Sequence, residues 1–535
     1  MATLGLWNIA GEQPDRVAVV DPDGRQISYA TLARTADQYA RGLRAAGLHP
    51  GDTVVLLLPN GVDLLALYFA AFQTGLYVVP VNWHLIGPEV AYILADSEAK
   101  AFIAHERFAT TATEATTATA TTAPTAATTA NGADAATAAG AGPVARYAVG
   151  DIPGFAPLAT LGTDSTGRPE KRTSGAPMLY TSGTTGRPKG VRRPLTGTDP
   201  DDVPQMALWF FGLFGLQPYG DHVHLCGSPL YHAAVLNFVT ISIQLGHTAV
   251  LMDHFDPEQA LRLIERHRVT HSHMVPTQFH RLLGLPDDVR ERYDVSSLRA
   301  MIHGAAPCPD QVKRRMLDWW GPVVIEYYAA TEGGGTAITA EEWLERPGSV
   351  GRAWPGSTVK VLDESGQELP PGQPGLVYMR MGTSNFSYHK DATKTRQARH
   401  GDLFTLGDVG YLDDAGYLYL HDRKSDMIIS GGVNIYPAEI EAELACHPKV
   451  ADVAVFGVPH DDWGEEIKAV VQPAPGISPS SDLTRDILGY AATRLAKFKL
   501  PRSIDYLDEL PRDPNGKLYK RRLRDPYWEG RDRAI

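Results

Sequence analysis

The chain has 535 residues, of which 43% are hydrophobic and 21% are charged, and its formal net charge is -12. This length allows more than one hydrophobic core, and the composition is typical of a globular protein. The negative charge argues against a nucleic-acid-binding protein, because affinity for phosphate backbones depends on clustered lysines and arginines. Local positive groups must therefore meet any anionic substrate.

The first part of the chain predicts parallel βαβ units. A helical pattern over residues 32–46 alternates with short apolar runs at 54–58 and 78–81, which is typical of strands and helices on a largely parallel sheet. Residues 110–142 consist almost wholly of Ala and Thr and lack large apolar side chains. This composition predicts a disordered surface insertion, with a regulatory or docking loop as the alternative.

The second half of the chain predicts two smaller units. After a helical pattern at 257–267 and a strand-like segment at 323–327, the segments 358–362, 375–380 and 416–420 are short and separated by Gly, Pro and Asp. They indicate a small β-rich subdomain. Further apolar runs at 427–429, 450–458 and 467–471, with a helix beginning at Pro437, predict a compact α+β unit.

The predicted fold class is therefore α/β. We expect a large N-terminal domain of parallel αβ subdomains with a small β-rich subdomain (1–422), a hinge (423–425) and a small mobile α+β domain (426–535). Cys226, Cys308 and Cys446 lie far apart and predict neither a disulfide framework nor a metal site. No secretory signal and no transmembrane segment is evident, so a cytoplasmic protein is the simplest expectation.

A loop of small and hydroxyl-bearing residues predicts a phosphate site. Residues 180–190 read YTSGTTGRPKG, so backbone N–H groups can approach phosphate oxygens closely and Lys189 supplies a positive charge. Pro188 stands where a Walker A loop would need Gly. An exposed turn is the alternative for such a composition. The candidate phosphate ligands are Thr181, Ser182, Gly183, Thr184, Thr185, Gly186 and Lys189.

This loop resembles the signature of the adenylate-forming superfamily, which includes acyl-CoA synthetases, peptide-synthetase adenylation domains and luciferases. A second stretch, EYYAATE at 326–332, is similar to another element of that family. The resemblance implies that Tyr328 stacks on adenine, that Thr331 contacts the phosphates and that Glu332 holds Mg²⁺. A hard dication prefers such oxygen ligands. An exposed Glu at a strand end is the alternative for this motif taken alone.

Two further stretches match the family around the acyl group. The loop containing Gly304, Ala305 and Ala306 resembles the one that passes between adenine and the acyl chain. His303 beside it is not assigned acid–base work. His232 matches a position between the acyl pocket and the thiol channel, with a packing role beside Tyr231 as the alternative.

The remaining matches lie toward the C-terminus. The resemblance places Asp408 on the ribose hydroxyls, which a carboxylate binds strongly, and lets Arg423 reach the nucleotide. Ser425 stands at the pivot, where many relatives have Asp or Lys. Gly431 and Gly432 allow the backbone to pass close to a pantetheine arm. Lys517, after Asn-Gly, is the lysine that the family uses for adenylation, although such a lysine alone would be read as a solvated turn residue.

Together these motifs predict an ATP- and Mg²⁺-dependent ligase, closest to fatty-acid or aryl acyl-CoA synthetases, with Lys517, Thr184, Glu332 and His232 as catalytic residues. The predicted partners are a small carboxylic acid, ATP and coenzyme A, with a homodimer left open. An amine, a carrier-protein thiol or another acceptor remains an alternative, as does a luciferase-like oxygenase. A nucleotide-binding regulatory protein without catalysis is an alternative from another class. The expected acyl-pocket segments are 209–214, 232, 275–277, 301–305 and 333–335.

Overall fold

The computed structural model describes residues 3–121, 144–162, 167–181, 188–330, 332–382, 386–512 and 518–530. The described part of the chain contains no helix with the length and apolar character needed to cross a membrane. Short 3₁₀ helices occur at Glu106–Phe108, Leu158–Leu161, Lys497–Lys499 and Asp525–Trp528.

The α-helices, in chain order, are α1 (Leu6–Glu12), α2 (Tyr29–Ala45), α3 (Val62–Phe72), α4 (Gly87–Asp96), α5 (Ala109–Thr121), α6 (Val203–Gly212), α7 (Ala233–Gln244), α8 (Pro257–His267), α9 (Pro276–Leu283), α10 (Asp287–Arg290), α11 (Asp310–Trp320), α12 (Ala340–Glu345), α13 (Ala392–Gln397), α14 (Pro437–Leu444), α15 (Ser481–Ala492) and α16 (Lys520–Arg524).

The strands, in chain order, are β1 (Val17–Val20), β2 (Gln26–Ser28), β3 (Thr53–Leu57), β4 (Tyr77–Pro80), β5 (Ala99–His105), β6 (Ala145–Val149), β7 (Ala156–Pro157), β8 (Ala176–Pro177), β9 (Leu179–Thr181), β10 (Lys189–Arg192), β11 (Val223–Cys226), β12 (Thr248–Leu251), β13 (His271–Met274), β14 (Ala300–His303), β15 (Val324–Ala329), β16 (Gly335–Ile338), β17 (Ser349–Ala353), β18 (Ser357–Leu362), β19 (Gly375–Met381), β20 (Ser387–Tyr388), β21 (Arg399–His400), β22 (Leu403–Leu412), β23 (Tyr417–Arg423), β24 (Ile428–Ser430), β25 (Val433–Ile435), β26 (Val450–His460), β27 (Gly464–Pro473) and β28 (Ser503–Tyr506).

The chain forms two compact units. Unit 1 comprises Met1–His273, Tyr293–Ala300 and Asn385–Thr395, and unit 2 comprises Met274–Arg292, Met301–Ser384 and Arg396–Ile535. This division does not follow the domains expected from the sequence, and the boundary at 423–425 stays a prediction.

Unit 1 contains the parallel sheet that the βαβ rhythm predicts. Its strands are ordered β7-β6-β5-β3-β4-β8, and the pairs along it are parallel. Every residue of β3 is buried, as expected for a strand with helices on both faces of its sheet. A second parallel group pairs β1 with β12, β12 with β11 and β11 with β13. The predicted α/β class is thus confirmed.

Unit 2 contains the predicted β-rich and α+β parts. Beyond the parallel pair β14 and β15, the strands β15, β16, β17, β23, β22, β19 and β18 are joined by antiparallel pairing. A separate sheet orders β25-β24-β27-β26, and β28 pairs with β27. Its core includes Ile428, Ile440 and Ile487, contributed by β24, α14 and α15.

Helix α8 shows how local sequence sets an element. The Asp256 side chain accepts a 2.7 Å hydrogen bond from the Gln259 N–H, and Pro257 occupies the first helical turn, where its missing N–H costs nothing. Arg268 ends the helix in the left-handed region, with φ of 52°. The predicted range 257–267 is confirmed. The apolar face that the helix buries consists of Ala260, Leu261 and Ile264.

The structure corrects the beginning of the Ala/Thr-rich segment. Residues 110–121, predicted to be disordered, belong to helix α5, in which Ala112 and Ala115 are fully buried. A Cβ added at Gly87 of α4 would lie 2.4 Å from the Cβ of Glu114, so glycine at this position allows the two helices to pack closely. Alanine is also the best helix former. The rest of the predicted insertion, residues 122–142, lies outside the described residues.

Candidate active site

A tyrosine, a carboxylate and an arginine from three strands of unit 2 meet at one point. The Tyr328 hydroxyl of β15 donates a 2.6 Å hydrogen bond to Asp408 Oδ2 on β22. Arg423 Nε, at the end of β23, donates a 3.3 Å bond to Asp408 Oδ1, and these two residues face each other across the strand pair. The structure thus brings together three residues that the sequence assigned to the nucleotide.

Burial and charge fix the protonation state of this group. Burial, together with the Asp408 carboxylate, raises the pKa of Tyr328 well above its ordinary value, so the phenol remains a hydrogen-bond donor at neutral pH. The Asp408 side chain is 12% exposed, whereas that of Arg423 is 46% exposed. The group therefore combines an anchored carboxylate with a cation that reaches solvent.

The predicted adenine loop begins where β14 ends. A Cβ added at Gly304 would lie 2.7 Å from the Tyr327 carbonyl oxygen, so only glycine permits this close approach to β15. Ala305 has a φ of 67°, a left-handed conformation that L-residues other than Gly rarely adopt. Ala306 follows without a large side chain. The loop is held tightly against the strand that carries Tyr328.

Glu332 follows β15 and is 5% exposed. Magnesium in nucleotide sites typically takes one or two carboxylates together with phosphate oxygens. Among the residues that the structure describes, no group of three or more His, Cys, Asp or Glu side chains could hold a metal ion on its own. A single carboxylate such as Glu332, completed by nucleotide phosphates, fits the donor set of Mg²⁺. Thr331 lies outside the described residues.

In unit 1, Thr181 and Lys189, which belong to the predicted phosphate loop, face each other across the antiparallel strands β9 and β10. The Lys189 Nζ lies 2.6 Å from Asp391 Oδ2, and this hydrogen bond lowers the pKa of the Asp391 carboxyl. Sequence reasoning missed Asp391, which is 202 residues away along the chain. Ser182, Gly183, Thr184, Thr185 and Gly186 lie outside the described residues.

His232 occupies the N-cap position of α7, and its ring centroid lies 4.4 Å from that of Tyr231. The aromatic residues of segment 209–214, predicted to line an acyl pocket, differ in their burial. Phe211 is fully buried, whereas Trp209 is 40% exposed. The Phe211 ring packs against Phe238 at a centroid distance of 5.5 Å. Phe211 therefore belongs to the core of unit 1.

The two glycines of the predicted thiol site form a hairpin turn. Gly431 and Gly432 have φ values of 57° and 78°, and they connect β24 to β25, whose Ser430 and Val433 are paired. Two successive residues with positive φ are what a two-residue type I′ hairpin requires. A Cβ added at either glycine would meet no atom within 4 Å, although the Gly431 N–H donates a 2.9 Å hydrogen bond to the Trp463 carbonyl oxygen.

A buried ion pair involves Glu326 of β15, the strand that carries Tyr328, and was missed by sequence reasoning. Lys313 of α11 is fully buried, and its Nζ lies 2.6 Å from Glu326 Oε2. His303 Nε2 lies 3.7 Å from the same oxygen. Lys313 falls on the buried face of its helix together with Met316 and Leu317. A lysine at an apolar helical position was therefore the available signal for a buried partner.

The last predicted residue, Lys517, lies outside the described residues. Its flanks are described, and Arg512 and Leu518 form an antiparallel bridge on either side of it. The described residues thus supply a carboxylate, an aromatic hydroxyl and an arginine in one group, a second buried carboxylate at Glu332, and a lysine at Lys189. The unit 2 group has the hydrogen-bonding and charged atoms that a nucleotide needs, and Lys189 of unit 1 carries a charge suited to a phosphate.

Comparison with known proteins agrees with this chemistry. The family described as AMP-binding enzyme matches residues 6–387, and the AMP-binding enzyme C-terminal domain matches residues 439–517. A feruloyl-CoA synthase of Amycolatopsis sp is 34% identical over 97% of this chain and 98% of its own. The fatty acid–acyl-carrier-protein ligase ScoC of Streptomyces coeruleorubidus is 32% identical over 98% of this chain and 96% of its own.

Solved structures agree as well. The ATP-bound crystal structure of MatB from Rhodopseudomonas palustris is 28% identical, with a TM-score of 0.76 over 96% of each chain. The resemblance stated from the motifs is confirmed. The residues 6–387 and 439–517 lie on either side of the predicted hinge, and together they establish that the chain belongs to the AMP-binding enzymes, the adenylate-forming family.

Proposed function

We propose that this chain is an ATP-dependent, AMP-forming ligase, which activates a carboxylic acid as an acyl-adenylate and transfers the acyl group to the thiol of coenzyme A. The observation that carries the proposal is the Tyr328–Asp408–Arg423 group, found in a chain that belongs to the AMP-binding enzymes. The feruloyl-CoA synthase, similar over nearly the whole chain, supports coenzyme A as the acceptor.

In the first half-reaction the substrate carboxylate attacks the α-phosphorus of ATP, and pyrophosphate leaves. Both reactants are anions, so their repulsion and the charge on the leaving group must be offset. We assign Lys517 to bridge the carboxylate and the α-phosphate, and the loop from Thr181 to Lys189, including Thr184, to orient the departing pyrophosphate. Bound Mg²⁺ would neutralise phosphate charge, and Glu332 would hold it.

The nucleoside would be held by the group in unit 2. Asp408 would accept hydrogen bonds from the vicinal ribose hydroxyls, because a carboxylate binds a diol strongly. Arg423 would extend toward the nucleotide, and Tyr328 would stack on adenine beside the loop of Gly304, Ala305 and Ala306. In this assignment Tyr328 has a second task, since its hydroxyl also orients Asp408.

In the second half-reaction the thiol attacks the acyl carbon, and AMP leaves with the electron pair of the broken bond. We assign the turn at Gly431 and Gly432 to the pantetheine arm and His232 to the region between acid and thiol. The hinge at residues 423–425 would let the C-terminal part change its position between the two half-reactions, withdrawing Lys517 after adenylation.

As the acid, we propose one with an apolar, aryl or fatty tail. The feruloyl-CoA synthase acts on an aromatic acid and ScoC on a fatty acid, as their names state. The test is acid-dependent pyrophosphate release with a panel of benzoate, cinnamate and fatty acids of increasing length. Release with at least one of these acids supports the proposal, and no release with any of them contradicts it.

A second acceptor is favoured by one relative. ScoC passes its fatty acid to an acyl carrier protein, so this chain could use a carrier-protein thiol. Parallel reactions with coenzyme A, a phosphopantetheinylated carrier protein and a primary amine, analysed by mass spectrometry, separate the three. We expect the coenzyme A thioester as the main product. A carrier-bound product, or an amide, without the coenzyme A thioester would overturn the choice of acceptor and leave adenylation standing.

We also propose a cytoplasmic location. Cys226, Cys308 and Cys446 are free thiols, which suits a reducing compartment. In this proposal the enzyme draws its substrates ATP and coenzyme A from that compartment. Fractionation of cells that express the tagged chain would place it with cytoplasmic markers, and recovery with an extracellular fraction would contradict this.

A further inference from the structure

Residues on both sides of the segment that carries Lys517 are fixed by contacts within unit 2. On its N-terminal side, Arg512 makes a two-pronged ion pair with Asp452, with N–O distances of 2.5 and 2.7 Å. On its C-terminal side, Leu518 bridges to Arg512, and the Tyr519 N–H donates a 2.8 Å hydrogen bond to the Pro511 carbonyl oxygen. The two flanks are therefore joined to each other.

The C-terminal flank continues into helix α16, whose first residue is Lys520. Its Nζ lies 2.9 Å from Glu441 Oε1, with side chains 13% and 20% exposed. The same Glu441 oxygen accepts a 2.7 Å hydrogen bond from the Val455 N–H. Lys520 thereby ties α16 to helix α14 and strand β26 through a carboxylate that is itself held in place.

Charge keeps Lys520 in its ammonium form. Burial alone would lower its pKa, but the carboxylates of Glu441, Asp422 and Asp426 outweigh burial and raise it. Burial raises the pKa of Glu441, and Lys520 offsets part of that effect. A lysine fully exposed on the surface would be hydrated by water and would not need a carboxylate partner.

The other end of α16 is also held. Arg524 Nη1 donates a 3.3 Å hydrogen bond to the Ser425 carbonyl oxygen and lies 3.8 Å from Asp426 Oδ1. Helix α16 is thus fixed at its first residue by α14 and at its last residue by the stretch predicted as the hinge. These two contacts hold the chain from Lys520 onward, in addition to the contacts of Leu518 and Tyr519 with the N-terminal flank.

We propose that Lys520, through its ion pair with Glu441, is a positioning residue for the adenylation half-reaction. The inference rests on the proposed function, in which Lys517 bridges the substrate carboxylate and the α-phosphate. Lys520 follows Lys517 by three residues and fixes the backbone on that side. A displacement of about 1 Å at a reacting group can cost about 100-fold in rate. The thioester half-reaction does not use Lys517, so it should not depend on the pair.

The test measures the two half-reactions separately. Acid-dependent pyrophosphate exchange reports adenylation, and coenzyme A added to a synthetic acyl-adenylate reports thioester formation. We expect Lys520→Met and Glu441→Gln to slow adenylation by roughly 30- to 100-fold and to leave thioester formation within about threefold. Lys520→Arg, which keeps the charge, should recover most of the adenylation rate.

A control on the same helix matches the substitution. Glu439 of α14 pairs with Lys499, with Nζ 2.6 Å from Oε1 and side chains 24% exposed at Lys499 and 47% exposed at Glu439. Glu439→Gln removes the same charge from the same helix, but its ion pair lies outside the contacts that fix α16. We expect adenylation by this variant to stay within about threefold of wild type.

The double variant Lys520→Met/Glu441→Gln keeps the inference testable if one single variant folds poorly. Because the two residues form one pair, the double variant should lose no more adenylation activity than the worse of the two single variants. Equal losses in both half-reactions, an unchanged adenylation rate, or an equal loss in Glu439→Gln would overturn the positioning role. Failure of wild type to exchange pyrophosphate with any acid would instead overturn the proposed function, and this inference with it.

Discussion

Strand β15 carries two polar groups that differ in what surrounds them. Glu326 pairs with Lys313, which is fully buried, whereas Tyr328, two residues later on the same strand, meets Asp408 and a half-exposed Arg423. Side chains two residues apart point to the same face of a strand. A buried pair leaves a ligand little surface to contact, so its role is structural, while a group with an exposed arginine can bind a ligand.

The first test breaks the closed pair. Lys313→Met removes the cation and leaves the Glu326 carboxylate buried without it, which typically costs about 3–5 kcal/mol in the free energy of unfolding. Urea titration followed by tryptophan fluorescence measures the loss, and the KM for ATP of the folded variant should stay unchanged.

The control for this variant replaces both partners. Lys313→Met/Glu326→Leu substitutes apolar side chains for the pair and should recover most of the lost stability, because the buried charges disappear together. A loss below about 1 kcal/mol in Lys313→Met alone would show that the pair does not stabilise unit 2.

The second test concerns the open group. Asp408→Ala should lower kcat/KM for ATP by about 100-fold, equivalent to about 2.7 kcal/mol of transition-state binding. The melting temperature should fall only modestly, because Arg423 remains accessible to water and the Tyr328 hydroxyl alone loses its acceptor. Tyr328→Phe, which removes only the hydroxyl, should cost about tenfold. An Asp408→Ala variant with normal ATP kinetics would remove the group from the nucleotide site.

The third test extends the comparison to buried histidines of unit 1. Burial, with smaller contributions from nearby histidines, lowers the pKa of His224 to about 3, and burial likewise lowers that of His247 to about 3. An unfolded histidine has a pKa of about 6.5. Below that pH the unfolded chain therefore binds protons that the folded chain does not. Stability from each neutral ring is fully present above pH 6.5 and falls by about 1.4 kcal/mol per pH unit below it.

His224→Phe provides the measurement. Between pH 6 and 4, the unfolding free energy of the variant should change with pH by about 1.4 kcal/mol per pH unit less than that of wild type. The pH profile of pyrophosphate release should not change, because the buried His224 ring takes no part in the chemistry. An unchanged slope would show that His224 is not held neutral by the fold.

Much of the fold follows from local sequence. The 257–267 helix, the buried strand β3 and the alternating strands of unit 2 are set by side-chain periodicity and capping, which short windows of sequence reveal. The prediction of disorder was wrong for residues 110–121, because it rested on composition, which shows only a lack of large apolar groups. Composition does not show that Gly87 of α4 lets α5 pack closely against that helix.

The site residues were recognisable as ordered motifs, but their partners were not. Tyr328 and Asp408 are 80 residues apart and Lys189 and Asp391 are 202 apart, and no local pattern encodes such pairings. Lys520 and Glu441 each look like a surface charge on a short helix. Only the tertiary structure shows that they meet, because contacts between distant elements depend on packing and not on spacing.

The central claim is that this chain forms an acyl-adenylate with Lys517 as the bridging cation. Acid-dependent exchange of pyrophosphate into ATP, measured for wild type and Lys517→Ala, tests it most directly. We predict exchange by wild type and a loss of at least 100-fold in the variant, with thioester formation from synthetic acyl-adenylate largely retained. Equal exchange by both proteins, or an equal fall in both half-reactions of the variant, would contradict the account.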